Sequence, residues 1–235
     1  HFSPIPVNLI YPLTKLQVLD LSNTGLKSIF PEMLNKAPNL RQIHLRGNKI
    51  QELTEGTFTN LRNLTIVDLS FNNIASIRPA TFINAMNIKQ LSLRGNQLNA
   101  FRGEIFNTGT SLEELDLSEN QLSYLFPTSF RIHPRLRKIN ASRNKFNFFP
   151  AAIIQSLQFV EVIDLSRNQL KVVDELDLAR LPRLRQLFLS MNNIEGLSEM
   201  AFHNSSQLQH LDLSHNKLER IGERTFEGLS RIEWL

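Results

Sequence analysis

Apolar residues return along this chain with two superimposed rhythms. Locally they alternate with polar residues, as in Leu115-x-Leu117, and the same alternation comes back every 24 residues. Alternation of period two marks a strand with one buried face. The first apolar position of each copy holds one phase at Leu16, Leu40, Leu64, Ile88, Leu112, Leu136, Val160, Leu184, Leu208 and Ile232, with no insertion. The full pattern is LxxLxLxxNxL. It is clearest over Leu112, Leu115, Leu117, Asn120 and Leu122, and again over Leu208, Leu211, Leu213, Asn216 and Leu218. One such strand cannot bury its own apolar face. Ten in register can, as successive turns of a right-handed, curved solenoid with a parallel sheet on the concave side.

Asparagine follows each strand at Asn48, Asn72, Asn96, Asn120, Asn144, Asn168, Asn192 and Asn216, with Thr24 one step earlier. An amide carries two donors and an acceptor. A column of stacked amides is therefore expected to satisfy buried backbone groups of its own turn and the next. Thr24, with only a hydroxyl, should do so less completely. The return half of each repeat carries two more apolar columns. One is Ile29, Leu53, Ile77, Phe101, Leu125, Phe149, Val173, Leu197 and Ile221. The other is an aromatic spine of Phe58, Phe82, Phe106, Phe130, Phe202 and Phe226, its gaps filled by Leu34, Ile154 and Leu178. The aliphatic substitutes Ile154 and Leu178 imply thinner packing across those two turns. Polar, variable sequence between strand and spine predicts loops and short 3₁₀ pieces, with little α-helix.

The frame also reaches both ends. Phe2, Ile5, Ile10 and Leu13 fall on apolar repeat positions, so residues 1–15 read as the second half of a preceding repeat. Residues 232–235 read as the start of a tenth strand. Solenoids need polar caps, and the pattern supplies none. The expectation is one uncapped array over 1–235, a piece of a longer one.

Composition narrows the chemistry. Basic and acidic residues number 26 and 22 and are interleaved, without the clustering a nucleic-acid footprint needs. Cysteine is absent, which removes disulfides, thiolate zinc sites and thiol nucleophiles. No apolar run reaches the ~18 residues of a membrane span, and no signal peptide opens the chain. No cofactor is expected, and membrane association is expected only through a lipid anchor or span outside these residues.

Function should lie on the exposed strand positions. One column reads Asp20, His44, Asp68, Ser92, Asp116, Asn140, Asp164, Phe188 and Asp212, with aspartate on every second strand. Such alternation limits like-charge repulsion. Two residues on, Arg46 and Arg94 interrupt a run of serines, giving the first five repeats a 48-residue super-period. Ser22, His44 and Asp68 have the residue types of a nucleophile, base and orienter, but Asp-Leu-Ser is a recurrent filler here and no enzyme is expected. A metal site is not expected either. His203, His210 and His215 differ in segment and parity, and alternate aspartates lie too far apart to share a cation.

Apolar residues at exposed positions are the better candidates for contacts. Phe188 breaks the aspartate column, with Met191 assigned to the same strand and Val162 to the one before. Ile66 and Phe71 form a second, smaller group, and Trp234 is exposed by the same parity. Between the groups, Arg137, Lys138, Arg143 and Arg167 face Glu113, Glu114, Asp116 and Glu119 and should neutralise them across strands. Three N-x-S/T sequons, at Asn63, Asn140 and Asn204, permit glycosylation but number no more than composition gives by chance.

The motif LxxLxLxxNxL followed by xxIxxxxFxxLxx resembles the typical 24-residue class of leucine-rich repeats over essentially the whole chain. It lacks the LxGxIP of the plant class and the longer helical repeat of cytosolic ribonuclease inhibitors. Toll-like receptor ectodomains share the motif with more variable repeat lengths. The unbroken step and phrases such as Leu211-Asp212-Leu213-Ser214-His215-Asn216-Lys217-Leu218 are most similar to the chaoptin type of insect photoreceptor adhesion protein. The resemblance implies an α/β-type leucine-rich-repeat solenoid at the extracellular face of the plasma membrane. It further implies homophilic cell adhesion, with a like array on an apposed membrane or another surface protein as partner. The alternative it leaves open is the ligand-binding ectodomain of a Toll-like receptor.

Overall fold

The computed structural model describes residues 10, 13–106, 109–126, 129–130, 132–150, 157–178 and 180–235. In chain order its elements are β1 (Val18–Asp20), α1 (Pro31–Leu34), β2 (Gln42–His44), β3 (Glu52–Leu53), β4 (Ile66–Asp68), β5 (Ser76–Ile77), β6 (Gln90–Ser92) and a 3₁₀ turn (Gly103–Ile105). There follow β7 (Glu114–Asp116), β8 (Lys138–Asn140), β9 (Val162–Asp164), β10 (Val172–Val173), β11 (Gln186–Phe188), β12 (Gly196–Leu197) and β13 (His210–Asp212). Nine strands make one parallel sheet in the order β1-β2-β4-β6-β7-β8-β9-β11-β13, and Trp234 extends it by a parallel bridge to His210. Register follows the 24-residue step throughout: Leu19 lies beside Ile43, Leu115 beside Ile139, and Leu187 beside Leu211. The middle residue of each strand is buried and its two neighbours face out.

The strands are short because each one runs into a left-handed residue. Asn23, Gly47, Phe71, Gly95, Glu119, Arg143, Arg167, Met191 and His215 all have φ between 53° and 68°. Each immediately precedes the ladder position, and the bend it makes delivers the next side chain into the interior. Non-glycine residues resist this conformation by roughly 1–2 kcal/mol. The ladder offsets that strain. Asn120 donates from Nδ2 to the Leu117 and Leu93 carbonyls and accepts the Leu98 amide on Oδ1. The same bonds recur from Asn48 to Asn216. The sharing thus runs to the preceding turn, not the next one, because each asparagine side chain enters beneath the return segment of the repeat before it. Thr24 donates its hydroxyl to Leu21 O and to Asn48 Oδ1, so it serves one carbonyl only.

One continuous apolar core runs the length of the stack. The aromatic spine holds at first, with Phe58 stacked on Phe82 at 4.9 Å and Phe82 on Phe106 at 5.1 Å. It then breaks. Phe130 stacks on Phe101 of the neighbouring column at 5.9 Å, and the His133 ring meets Phe106 edge-on at 4.7 Å. Phe202 and Phe226 pair again at 6.0 Å. Leu34 and Leu178 are buried in the same column; Ile154, like Phe2 and Ile5, lies outside the described residues.

Two small parallel ladders, β3 with β5 and β10 with β12, were not apparent in the sequence. Each needs an amide two residues after the exposed strand position, as Arg78 N donates to Leu53 O and Ser198 N to Val173 O. At the equivalent place in the sixth repeat stands Pro150, which has no N–H to give.

Candidate functional site

The exposed face of the sheet is hollowed into a trough of about 460 Å³, lined by alternate residues from β2 to β11. Ile66, Val162 and Phe188 supply apolar walls, and Asp68, Glu114, Asp116 and Asp164 its carboxylates. Those aspartates owe their place to a local turn. The backbone amides of Ser22, Ser70, Ser118, Ser166 and Ser214 each donate to the aspartate two residues before, at 2.9–3.0 Å. Asn140 accepts from Ser142 in the same way. These are Asx turns that close the strand. They hold the Asp20 carboxyl below its ordinary range, mainly through the Ser22 side chain and amide.

Phe188 lies in a larger aromatic group than the sequence suggested. Its ring is 5.0 Å from His210, and His210 is stacked face to face on Trp234 at 4.1 Å. Phe188, His210 and Trp234 therefore form a strip of neighbouring rings on a mostly polar face, with Val162 lining the trough from β9, the strand before. His210 was missed because a histidine two residues before an aspartate looks polar; the strand register makes it a platform. Met191 does not belong to this strip. It sits three residues beyond β11 at the left-handed bend, exposed.

Ile66 and Phe71 also separate. Ile66 lines the trough, whereas Phe71 occupies the left-handed bend after β4. There its ring lies between the Arg46 and Arg94 guanidiniums, 4.2 and 5.3 Å from its centroid. Gly95 makes room: a Cβ on it would meet the Phe71 ring at 2.8 Å. Arg94 continues to Glu119 at 2.8 Å, and Glu119 to Arg143 at 3.8 Å. Lys138 pairs with Glu114 at 3.1 Å, so the central charges do neutralise across strands, although Arg137 turns to Glu161 and not to Glu113.

A second aromatic group was not foreseen. Tyr124 lies 5.2 Å from Phe126 and 6.3 Å from Phe148 on the flank beside the interrupted ladders, with Arg102 over Phe126 at 4.1 Å. Of the sequons, Asn63 and Asn204 are exposed, and Asn63 donates to Pro38 O. Asn140 is half-buried in the trough with Oδ1 engaged by both Ser142 donors. Ser22, His44 and Asp68 make no bonds to one another. His44 faces Gln42, and Asp68 caps its own turn. Among the described residues no three metal-ligating side chains gather, and no helix is long and apolar enough to cross a membrane.

Comparison with curated proteins finds no match. Among solved structures, a chain of a TLR13–ssRNA13 complex shares 23% identity over 96% of this chain and 29% of its own, with a TM-score of 0.70. A chain of the Drosophila Toll–Spatzle complex shares 22% over 88% and 28%, at 0.81. A chain of an octameric complex of Latrophilin 3, Unc5D and FLRT2 (LRR) shares 24% over 97% and 68%, at 0.82. At these identities the likeness is one of fold, and this chain spans under a third of the first two. Residues 14–61 match the model of two-copy Leucine Rich repeats. The Leucine rich repeat model matches 38–98, 86–146, 134–194 and 188–235. Because those matches together run from residue 38 to residue 235, across the repeats that carry the asparagine ladder, the chain belongs to the leucine-rich-repeat family.

Proposed function

We propose that this chain is a cell-surface recognition module acting in homophilic adhesion, in the manner of chaoptin-type proteins at the extracellular face of the plasma membrane. The observation that carries the reading is the ring strip of Phe188, His210 and Trp234, with Val162 on the strand before, half-buried to exposed on a sheet face whose other residues are mostly polar. Contiguous exposed aromatic groups mark protein contacts, and aromatics dominate their energetics. Val162, Phe188 and Ile66 are the contact residues inside the trough; Met191 and Phe71 would contribute from its lip. Glycans at Asn63 or Asn204 would leave the trough open, whereas one on Asn140 would stand in it. No catalytic step is part of this reading.

The test is clustering of beads that carry the chain. Wild type should cluster, and Phe188→Asp should reduce clustering while leaving the unfolding midpoint near wild type, since Phe188 is only half-buried. Beads that never cluster would remove homophilic adhesion. The second reading, a ligand-binding ectodomain of the Toll-like kind, draws on the likeness to a chain of the Toll–Spatzle complex. It predicts dispersed wild-type chains that a soluble protein ligand brings together in pairs.

A further inference from the structure

Two rows of charge run along the stack with the same pitch. The aspartates Asp20, Asp68, Asp116, Asp164 and Asp212 stand on every second strand of the sheet. Neighbouring strands lie about 4.8 Å apart, which puts successive aspartates about 9.6 Å apart. The residue immediately before each strand forms the leading rim of the sheet, and there Arg41, Lys89, Arg137 and Arg185 also recur every 48 residues. All four are exposed. The cations fall in the repeats whose aspartate position is His44, Ser92, Asn140 or Phe188, so the two rows interleave. The 48-residue super-period therefore extends through most of the array.

The aspartate row makes no ion pair among the described residues, and the cation row is only partly paired. None of the five aspartates pairs with a lysine or arginine among the described residues, and Arg41 and Arg185 make no ion pair there. Lys89 and Arg137 reach Glu113 and Glu161 at 3.4 and 3.9 Å, both at solvent-exposed positions. Pairs of that kind contribute about 0–1 kcal/mol and exchange partners readily. The trough carries Asp68, Glu114, Asp116 and Asp164 against Lys138 alone, a net of −3. The chain as a whole is +4, which leaves +7 on the remaining surface.

We infer that the occupant of the trough is a second copy of this chain, whose leading-rim cations lie along the aspartate row at the shared two-repeat pitch. This rests on the homophilic reading above and specifies its chemistry. Equal pitch lets every cation of one row find a carboxylate of the other at once, and fixes the offset between copies to whole two-repeat steps. The contact is heterologous: the copy that gives its rim keeps a free trough and the copy that gives its trough keeps a free rim, so the association can propagate to further copies.

Two sets of substitutions test this without disturbing the fold. Asp68→Asn with Asp116→Asn and Asp164→Asn removes the charge and keeps the Asx turn, as Asn140 shows in the same column. Arg41→Glu with Arg185→Glu reverses two exposed cations that hold no partner. Each set should weaken self-association in sedimentation about tenfold or more and flatten its salt dependence. Mixed together, the two sets should associate again, because the intact rim of the first meets the intact trough of the second. Wild-type clustering that neither set weakens, or weakened sets that mixing does not rescue, would overturn the charge register while leaving adhesion standing. Absence of wild-type clustering would fail the adhesion reading itself.

Discussion

At the scale of single residues, the ladder asparagines stabilise each turn and the left-handed bends before them carry the strain. Asn120→Leu leaves the buried Leu98 amide without its acceptor and takes one of two donors from the Leu93 and Leu117 carbonyls, which keep Asn96 and Asn144. The orphaned amide alone costs roughly 1–3 kcal/mol, so the denaturant midpoint should fall. An unchanged midpoint would remove the structural role assigned to the ladder. The bend positions differ among themselves. Gly95→Ala combines φ near 65° with a Cβ placed against the Phe71 ring. It should cost about 1–2 kcal/mol, and a Phe71→Ala background should relieve the steric part. Asp116→Asn should be nearly neutral, whereas Asp116→Ala loses the acceptor of the Ser118 amide and about 1 kcal/mol.

At the scale of elements, the columns behave as chains of nearest neighbours. Phe82 is stacked on both sides and fully buried, while Phe226 has one stacked neighbour and is half-buried. Phe82→Ala should cost about 3–5 kcal/mol and Phe226→Ala clearly less, read by urea unfolding. Equal losses would contradict a stacked spine. The flank ladders show the opposite limit. They form where the amides of Arg78 and Ser198 donate across to the turn before, and at the equivalent place in the sixth repeat Pro150 has none to give.

At the scale of the whole molecule, the break in the spine creates an acid sensitivity. His133 occupies a column otherwise held by small or aliphatic residues such as Ala85, Leu157 and Leu181. Its Nδ1 bonds Thr110 Oγ1 at 2.7 Å, and its Nε2 is buried without a partner among the described residues. Burial pushes its pKa from 6.5 down to about 4. The folded state therefore holds the proton less tightly than the unfolded state. The contribution is complete above pH 6.5 and falls away as pH drops towards 4, by about 2 kcal/mol at pH 5. Asp177 drifts the other way, because burial raises its carboxyl to about 6. Its stabilisation is complete at low pH and is lost as pH rises through 6. The decisive comparison is thus wild type against His133→Gln at pH 7 and pH 5. The variant should lose less stability between the two; identical losses would show that His133 does not titrate as its burial requires.

The 24-residue spacing by itself determined the strands of the main sheet, their register, the buried side of each and the asparagine file, because identical short units can hide their apolar faces only by stacking. It also placed Phe188 and Val162 on the open face, since parity along a strand is local. It did not determine which exposed residues meet. Whether Phe188 reaches His210, whether Phe71 sinks between two arginines, and where the phenylalanine file gives way to His133 depend on distances between turns. Those distances arise from backbone bends and side-chain packing that no spacing along the chain encodes. The same holds for the paired rows of charge: their period is written in the sequence, but only the folded sheet sets aspartates and rim cations side by side at one pitch.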